Sequence, residues 1–374
     1  MISKSLKANC KINQVPFGIF LPMLFLWMMF SSCSKDPKWI EIPQIDPKAT
    51  PFTPDLPSYF PPMPVPAENP ITVEGVALGR RLFYEPMLSG NNTQSCASCH
   101  QQQASFAHGG VKFSKGIDGF EGFRNAMPLM NLAWSGRINW DGKFSSLEEQ
   151  VPVPIFLQFE MHENLENAVR ELKEHPDYPE YFKRAFGSED VNVDRIAKSI
   201  SQFMRTLVAG SPKIVPGIGD QLRTPQEKRG FLVFLDENKG DCFHCHEVNV
   251  FATNFRFVNN GLNADPAKDP GLYGQTGNPS DMGKFKTPSL INLKYTAPYM
   301  HDGRFNTLDE VIDFYDKGFH NFSTLDPNLK KHLDSNGKPV PRNWSQQDKD
   351  DLKAFILSLE DTAFIKNPKF SKPN

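Results

Sequence analysis

The chain has 374 residues, a formal net charge of −2, 39% hydrophobic and 22% charged residues. That length suits two domains of ordinary size with a normal globular core. The near-neutral charge excludes the broad basic field that nucleic-acid binding needs. Phenylalanine is abundant at 31 copies, suited to wrapping a flat apolar cofactor or to building an ordinary core.

Residues 1–33 read as a lipoprotein signal peptide. Lys4, Lys7 and Lys11 give a basic start, and Val15 to Phe30 carry no charge. The stretch is short for a membrane span and is broken by Pro16 and Pro22. It runs through Ser31 and Ser32 into Cys33, a pattern similar to the lipobox of bacterial lipoproteins, in which the cysteine is acylated. By the same resemblance, Ser34 points to a lipid anchor in the outer membrane, on its periplasmic side. Residues 34–70 are rich in proline and read as an extended tether.

The remainder reads as mainly α. A first helix is expected from Gly75 to Leu88. Val193, Ile196, Ala197, Ile200, Phe203, Met204 and Leu207 recur at helical spacing, and Gly210-Ser211-Pro212 stops that helix. Thr224-Pro225-Gln226-Glu227 is a capping box with proline at the first helical position. Thr307 to Glu310 repeats the box and opens a helix to about Lys317. Ser345 opens the last, through Leu359. No long stretch alternates with period two. The Gly/Pro-rich stretch from Gly210 to Gly219 is the expected boundary between a domain at 71–212 and another at 220–374.

There are six cysteines. Cys10 lies in the leader and Cys33 at the lipid site. The other four fall in Cys96-Ala97-Ser98-Cys99-His100 and Cys242-Phe243-His244-Cys245-His246. Two thiols a helical turn apart can each add to a vinyl group of one porphyrin, and the following histidine then meets the iron. A dithiol redox site would not require the histidine, and zinc would need a second ligand pair nearby. Two such motifs in an exported chain therefore read as two covalently bound haems c, with His100 and His246 proximal.

From about residue 75 to 360 the chain resembles the bacterial dihaem cytochrome c peroxidase and MauG superfamily. The match is carried by Arg124-Asn125-Ala126-Met127-Pro128, Asn139-Trp140-Asp141-Gly142-Lys143, Ser146-Leu147-Glu148-Glu149-Gln150 and Phe159-Glu160-Met161. After the second haem motif it is carried by Phe285-Lys286-Thr287-Pro288-Ser289-Leu290 and Tyr295-Thr296-Ala297-Pro298-Tyr299-Met300-His301-Asp302-Gly303. The resemblance implies two cytochrome c-like domains whose haems face a shared interface. It makes Glu160, ten residues after Gln150, the group that moves a proton in splitting peroxide. Gln150 would orient peroxide or water, and Trp140 would lie between the haems as an electron relay. Asn125, Thr296 and Pro298 match the family's calcium site, whose oxygen donors suit a hard cation. The distal position of the second haem falls on Tyr315, fourteen residues after His301; peroxidases of the family have methionine there, and MauG has tyrosine. A phenolate favours ferric iron, whereas methionine raises the potential. Met300 and His320 are competing ligands. Peroxidases of the family often carry a distal histidine sixteen residues after the first proximal one; here that position is Gly116, and His108 is the nearby substitute.

Three functions follow as expectations. The first is reduction of hydrogen peroxide to water with electrons from a periplasmic small cytochrome c or copper protein. The second is a MauG-like, peroxide-dependent oxidation of a partner protein. The third is a non-catalytic dihaem electron-transfer lipoprotein. The family resemblance also suggests a homodimer.

Overall fold

The computed structural model describes residues 49–54 and 56–374. The leader, Cys10, Cys33 and the first part of the tether lie outside the described residues. The described residues form one compact unit. No helix among the described residues is long and apolar enough to cross a membrane.

The longer helices are α1 (Val73–Phe83), α2 (Leu165–Glu174), α3 (Tyr178–Phe186), α4 (Val193–Arg205), α5 (Pro225–Leu235), α6 (Leu308–Lys317) and α7 (Gln346–Leu357). Among the described residues, sheet is confined to β1 (Phe257–Val258) and β2 (Phe285–Lys286), antiparallel with Phe257 opposite Lys286. The three expected N-terminal caps form. Thr224, Thr307 and Ser345 each accept from the backbone of the third helical residue, whose carboxylate reaches back. The first helix ends at Phe83, earlier than its apolar pattern suggests, because Glu85-Pro86 opens a separate 3-10 turn.

Both halves rest on one device, a helix pair in near backbone contact. In the first, α1 crosses α4 where Gly79 meets Ser199; a Cβ on Gly79 would stand 1.8 Å from the Ser199 carbonyl oxygen. In the second, α5 crosses α7 where Gly230 meets Asp351, and a Cβ there would stand 1.9 Å from the Asp351 carbonyl oxygen. Neither crossing tolerates a side chain. The abundant phenylalanines fill these cores. Phe83 packs edge-on against Phe203 at 5.3 Å and Phe106 at 5.7 Å, and Phe355 meets Phe231 at 5.1 Å and Phe234 at 5.4 Å.

Two segments pack differently from their sequence pattern. The described part of the tether is not a free spacer: Phe60 packs edge-on to Phe251 at 5.6 Å, and the Trp134 indole donates to the Pro62 carbonyl at 3.0 Å. Nor is it extended from end to end: it turns back on itself, with Phe52 N–H donating to the Ile71 carbonyl at 2.9 Å, because its aromatic residues give it apolar surface to bury. At the other end, the tail after Thr362 crosses back to the first half. Arg80 donates to the Ser371 carbonyl at 2.6 Å, Tyr84 to the Phe370 carbonyl at 2.7 Å, and Phe364 packs edge-on against Phe106.

Candidate active site

Each Cys-x-x-Cys-His motif lines one cavity. The first, of about 270 Å³, is lined by Cys96, Cys99, His100, Trp140, Gln150 and Glu160, among others. The second, of about 190 Å³, is lined by Cys242, Cys245, His246, Tyr315, Met300 and Trp140, among others. Trp140 and Asn125 belong to both walls.

The proximal histidines are held alike. His100 Nδ1 lies 2.8 Å from the Phe106 carbonyl and His246 Nδ1 lies 3.1 Å from the Pro288 carbonyl. A carbonyl only accepts, so Nδ1 carries the proton and Nε2 keeps its lone pair for a metal. Burial lowers both imidazoles to about 4, so they stay neutral, as a ligand must be. The four thiols are free. Burial pushes Cys96, Cys242 and Cys245 up to about 12, the opposite of a dithiol redox site, which needs a ready thiolate. Two thiols and one imidazole on a mostly apolar wall are the donor set a haem c requires, and the residues fit that group in both cavities.

Gln150 and Glu160 come together on the wall of the first cavity. The short helix Leu147–Gln150 is capped by Ser146. It is bolted to α4 by Glu148, which receives both terminal nitrogens of Arg205, at 2.6 and 2.8 Å. Burial opposes its ionisation, but Arg205 and the Asn69 amide hold the Glu148 carboxyl below its ordinary range. Among the described residues no hydrogen bond reaches the Glu160 carboxylate. Burial raises it to about 7, and the charge of Lys143 opposes the shift. A carboxyl titrating near neutrality on a cavity wall is poised to take and give a proton.

Trp140 is 8% exposed. Its indole donates to the Asn125 carbonyl at 2.9 Å, and its own carbonyl accepts from Lys286 at 2.8 Å. The next residue, Asp141, pairs with Arg124 at 2.7 Å, and Arg124 pairs with Asp269 at 2.7 Å. The strip between the cavities is thus fixed at both ends.

Tyr315 projects from α6 into the second cavity. The Asn260 amide donates to its hydroxyl oxygen at 3.1 Å and lies 3.9 Å from Met300 Sδ. Burial pushes the phenol up to about 12, while the Asn260 bond favours its ionised form. Met300 shares this wall. His320 is exposed, lies outside the cavity lining, and is tied through its backbone to Gly261. His108 likewise lies outside the first cavity's lining, with Nδ1 2.8 Å from the Ser114 hydroxyl. Gly116 does line that cavity. Asn125, Thr296 and Pro298 line the second cavity together, and the Asn125 amide nitrogen is spent on the Val111 and Lys112 carbonyls, leaving its oxygen free.

Sequence reasoning missed Asn260, Phe106 and the Pro288 carbonyl. Asn260 sits in an unpatterned loop, and a backbone acceptor leaves no mark in residue identity. Arg124 and Lys286 stood inside recognised motifs with no role attached.

Helix-rich fold, paired cavities and shared tryptophan define a class, the dihaem redox proteins. The model of the di-haem cytochrome c peroxidase family matches residues 73–214. The cytochrome-c peroxidase IdrP1 of Pseudomonas sp. (strain SCT) is 34% identical over 336 residues, covering 80% of this chain and 84% of the relative. The methylamine utilization protein MauG of Methylorubrum extorquens is 34% identical over 307 residues, covering 80% and 81%. A solved MauG-like protein associated with microbial copper homeostasis superposes with a TM-score of 0.73 at 33% identity, covering 86% of this chain and 99% of that one. The dihaem peroxidase BthA from Burkholderia thailandensis shares the fold at a TM-score of 0.63 and 22% identity, covering 82% and 91%. The chain belongs to the dihaem cytochrome c peroxidase and MauG family, and it is an oxidoreductase of the haem peroxidase kind.

Proposed function

We propose that the chain reduces hydrogen peroxide to two waters, taking two electrons and two protons, with the reaction in the first cavity and electron entry at the second. Two haems c would be joined through Cys96 and Cys99, and through Cys242 and Cys245, with His100 and His246 on the irons. Bound haem supplies the iron that receives peroxide and the electrons that break its O–O bond. The chain's residues do the rest. Glu160 takes the proton from the inner peroxide oxygen and gives it to the outer one, so that the leaving group departs as water. Gln150 orients the peroxide. Trp140 carries electrons between the sites. The observation that carries this reading is Glu160, unbonded and titrating near 7, on the same wall as Gln150 and the first Cys-x-x-Cys-His motif.

The finer assignments belong to the same proposal. The haem-bearing domains span 71–212 and 220–374. Cys33 is lipidated, placing the protein on the periplasmic side of the outer membrane, where a small cytochrome c or copper protein supplies electrons. Asn125 Oδ1 and the carbonyls of Thr296 and Pro298 hold calcium, and the protein pairs as a homodimer. Gly116 at the position where the family often carries a distal histidine offers no side chain to ligate a first haem, so peroxide would react without prior half-reduction.

A second reading is favoured by Tyr315. As an anionic ligand it would keep the second haem at low potential and suit a MauG-like oxidation of a partner protein. The test is steady-state oxidation of reduced small cytochrome c by hydrogen peroxide, with haem-loaded protein from an exporting host. Fast turnover without half-reduction is expected. Negligible turnover, with a haem spectrum that still shifts on adding peroxide, would support the partner-protein oxidase; no spectral response at all would leave the electron-transfer reading.

A further inference from the structure

We propose that the loop Ser114–Gly122 is a clamp that positions Glu160 over the first cavity, with Gly116 and Asp118 as its positioning residues; this rests on the reading of Glu160 as the proton-moving group. The loop is closed on itself. Gly116 N–H donates to the Phe120 carbonyl at 2.9 Å, Gly122 N–H to the Ser114 carbonyl at 3.0 Å, and Lys115 faces Glu121 at 3.5 Å. The Gln94 amide holds the loop's base through the Lys115 carbonyl at 3.1 Å.

This closed loop, with its neighbour Gly90, grips three consecutive residues. The Ile117 N–H donates to the Glu160 carbonyl at 2.9 Å. The Gly90 N–H donates to the Met161 carbonyl at 2.9 Å. Asp118 Oδ2 meets His162 Nδ1 at 2.6 Å. His162 is held at φ 43°, a left-handed conformation that a non-glycine residue adopts only when its surroundings impose it. The segment's own bonds reach only back toward Pro154 and Leu157: Glu160 N–H and His162 N–H donate to the Leu157 carbonyl and Met161 N–H to the Pro154 carbonyl at 3.0 Å, and none of them holds the outward carbonyls of Glu160 and Met161. Gly116 lies flat against it. A Cβ at Gly116 would stand 2.5 Å from the Phe159 carbonyl carbon and 2.6 Å from the Glu160 carbonyl oxygen. Both are backbone atoms, so no rotamer change relieves the contact; the Glu160 backbone and the loop must move apart. The position the resemblance marks for a distal ligand is therefore occupied by the seat of Glu160 and has no room for a side chain.

Proton transfer demands placement within a fraction of an ångström, and a shift of about 1 Å costs on the order of 100-fold in rate. The test uses haem-loaded full-length protein. The rate of reaction with excess hydrogen peroxide is followed across pH by the first haem's absorbance, for Gly116→Ala, Asp118→Asn and Glu160→Gln. The second haem's midpoint potential is the control for intactness. Gly116→Ala is expected to slow the reaction at least about tenfold and to move the midpoint of its pH dependence to lower pH, since a displaced Glu160 gains water. Asp118→Asn acts in the same direction and more weakly. Unchanged rate and pH midpoint in Gly116→Ala, with Glu160→Gln inactive, overturns the clamp alone. If Gly116→Ala fails to load haem, Asp118→Asn decides: a lowered midpoint supports the clamp and a native one overturns it. A Glu160→Gln variant as fast as the parent removes the Glu160 reading and the clamp with it.

Discussion

The two cavities share their attachment chemistry and differ in what faces it. Each has a thiol pair and a neutral imidazole whose Nδ1 is spent on a backbone carbonyl. The first then presents a carboxyl and a carboxamide, Glu160 and Gln150. The second presents a phenol and a thioether, Tyr315 and Met300, with Asn260 reaching both. A wall of groups able to handle protons suits a site where bonds break; a wall of groups able to ligate iron suits a site that passes electrons. The two cavities thus repeat their thiol–histidine wall and differ in the groups that accompany it.

The contrast can be broken from either side. The largest effect is expected in the first cavity: Glu160→Gln keeps the shape and removes the base, and should slow the peroxide reaction by about 10²–10⁴-fold, measured by stopped-flow absorbance. The second haem's potential should stay put. Next, Tyr315→Met should raise the second haem's midpoint potential, within the roughly 0.8 V that axial ligands span. Potentiometric titration checks this, and an unchanged potential would remove Tyr315 from the iron. The smallest effect belongs to the shared wall. Trp140→Phe keeps an aromatic ring but strands the Asn125 carbonyl, at a cost of about 1 kcal/mol in stability. It should slow electron transfer from the second site to the first, seen as a lag in reoxidation of the reduced second haem by peroxide.

Much of this was legible in the sequence, for stated reasons. Capping boxes at Thr224, Thr307 and Ser345 are local chemistry, and the helices start where they say. The α4 stripe showed because a helix half-sunk in a core must repeat its apolar residues. The interval from Gln150 to Glu160 was visible, but nothing in it shows that a distant loop holds Glu160 in place. Contacts such as Gly79 with Ser199, Gly116 with Phe159 and Phe364 with Phe106 join residues far apart in the chain, and each rests on shape. The Pro-rich stretch misled in one respect: proline forbids helix, yet Phe60 still finds a partner in Phe251.

In the proposed reaction a single buried carboxyl in the first cavity moves the proton of peroxide. Glu160 has its pKa raised by burial to about 7, so it is protonated and unable to accept a proton below that pH. The most direct measurement is the second-order rate of the oxidised protein with hydrogen peroxide from about pH 5 to 9, for the parent and Glu160→Gln. The expected result is a parent rate that rises with pH through about 7 to a plateau, and a variant that is slow and flat. A parent rate with no limb near 7, or the same limb surviving in Glu160→Gln, would contradict it.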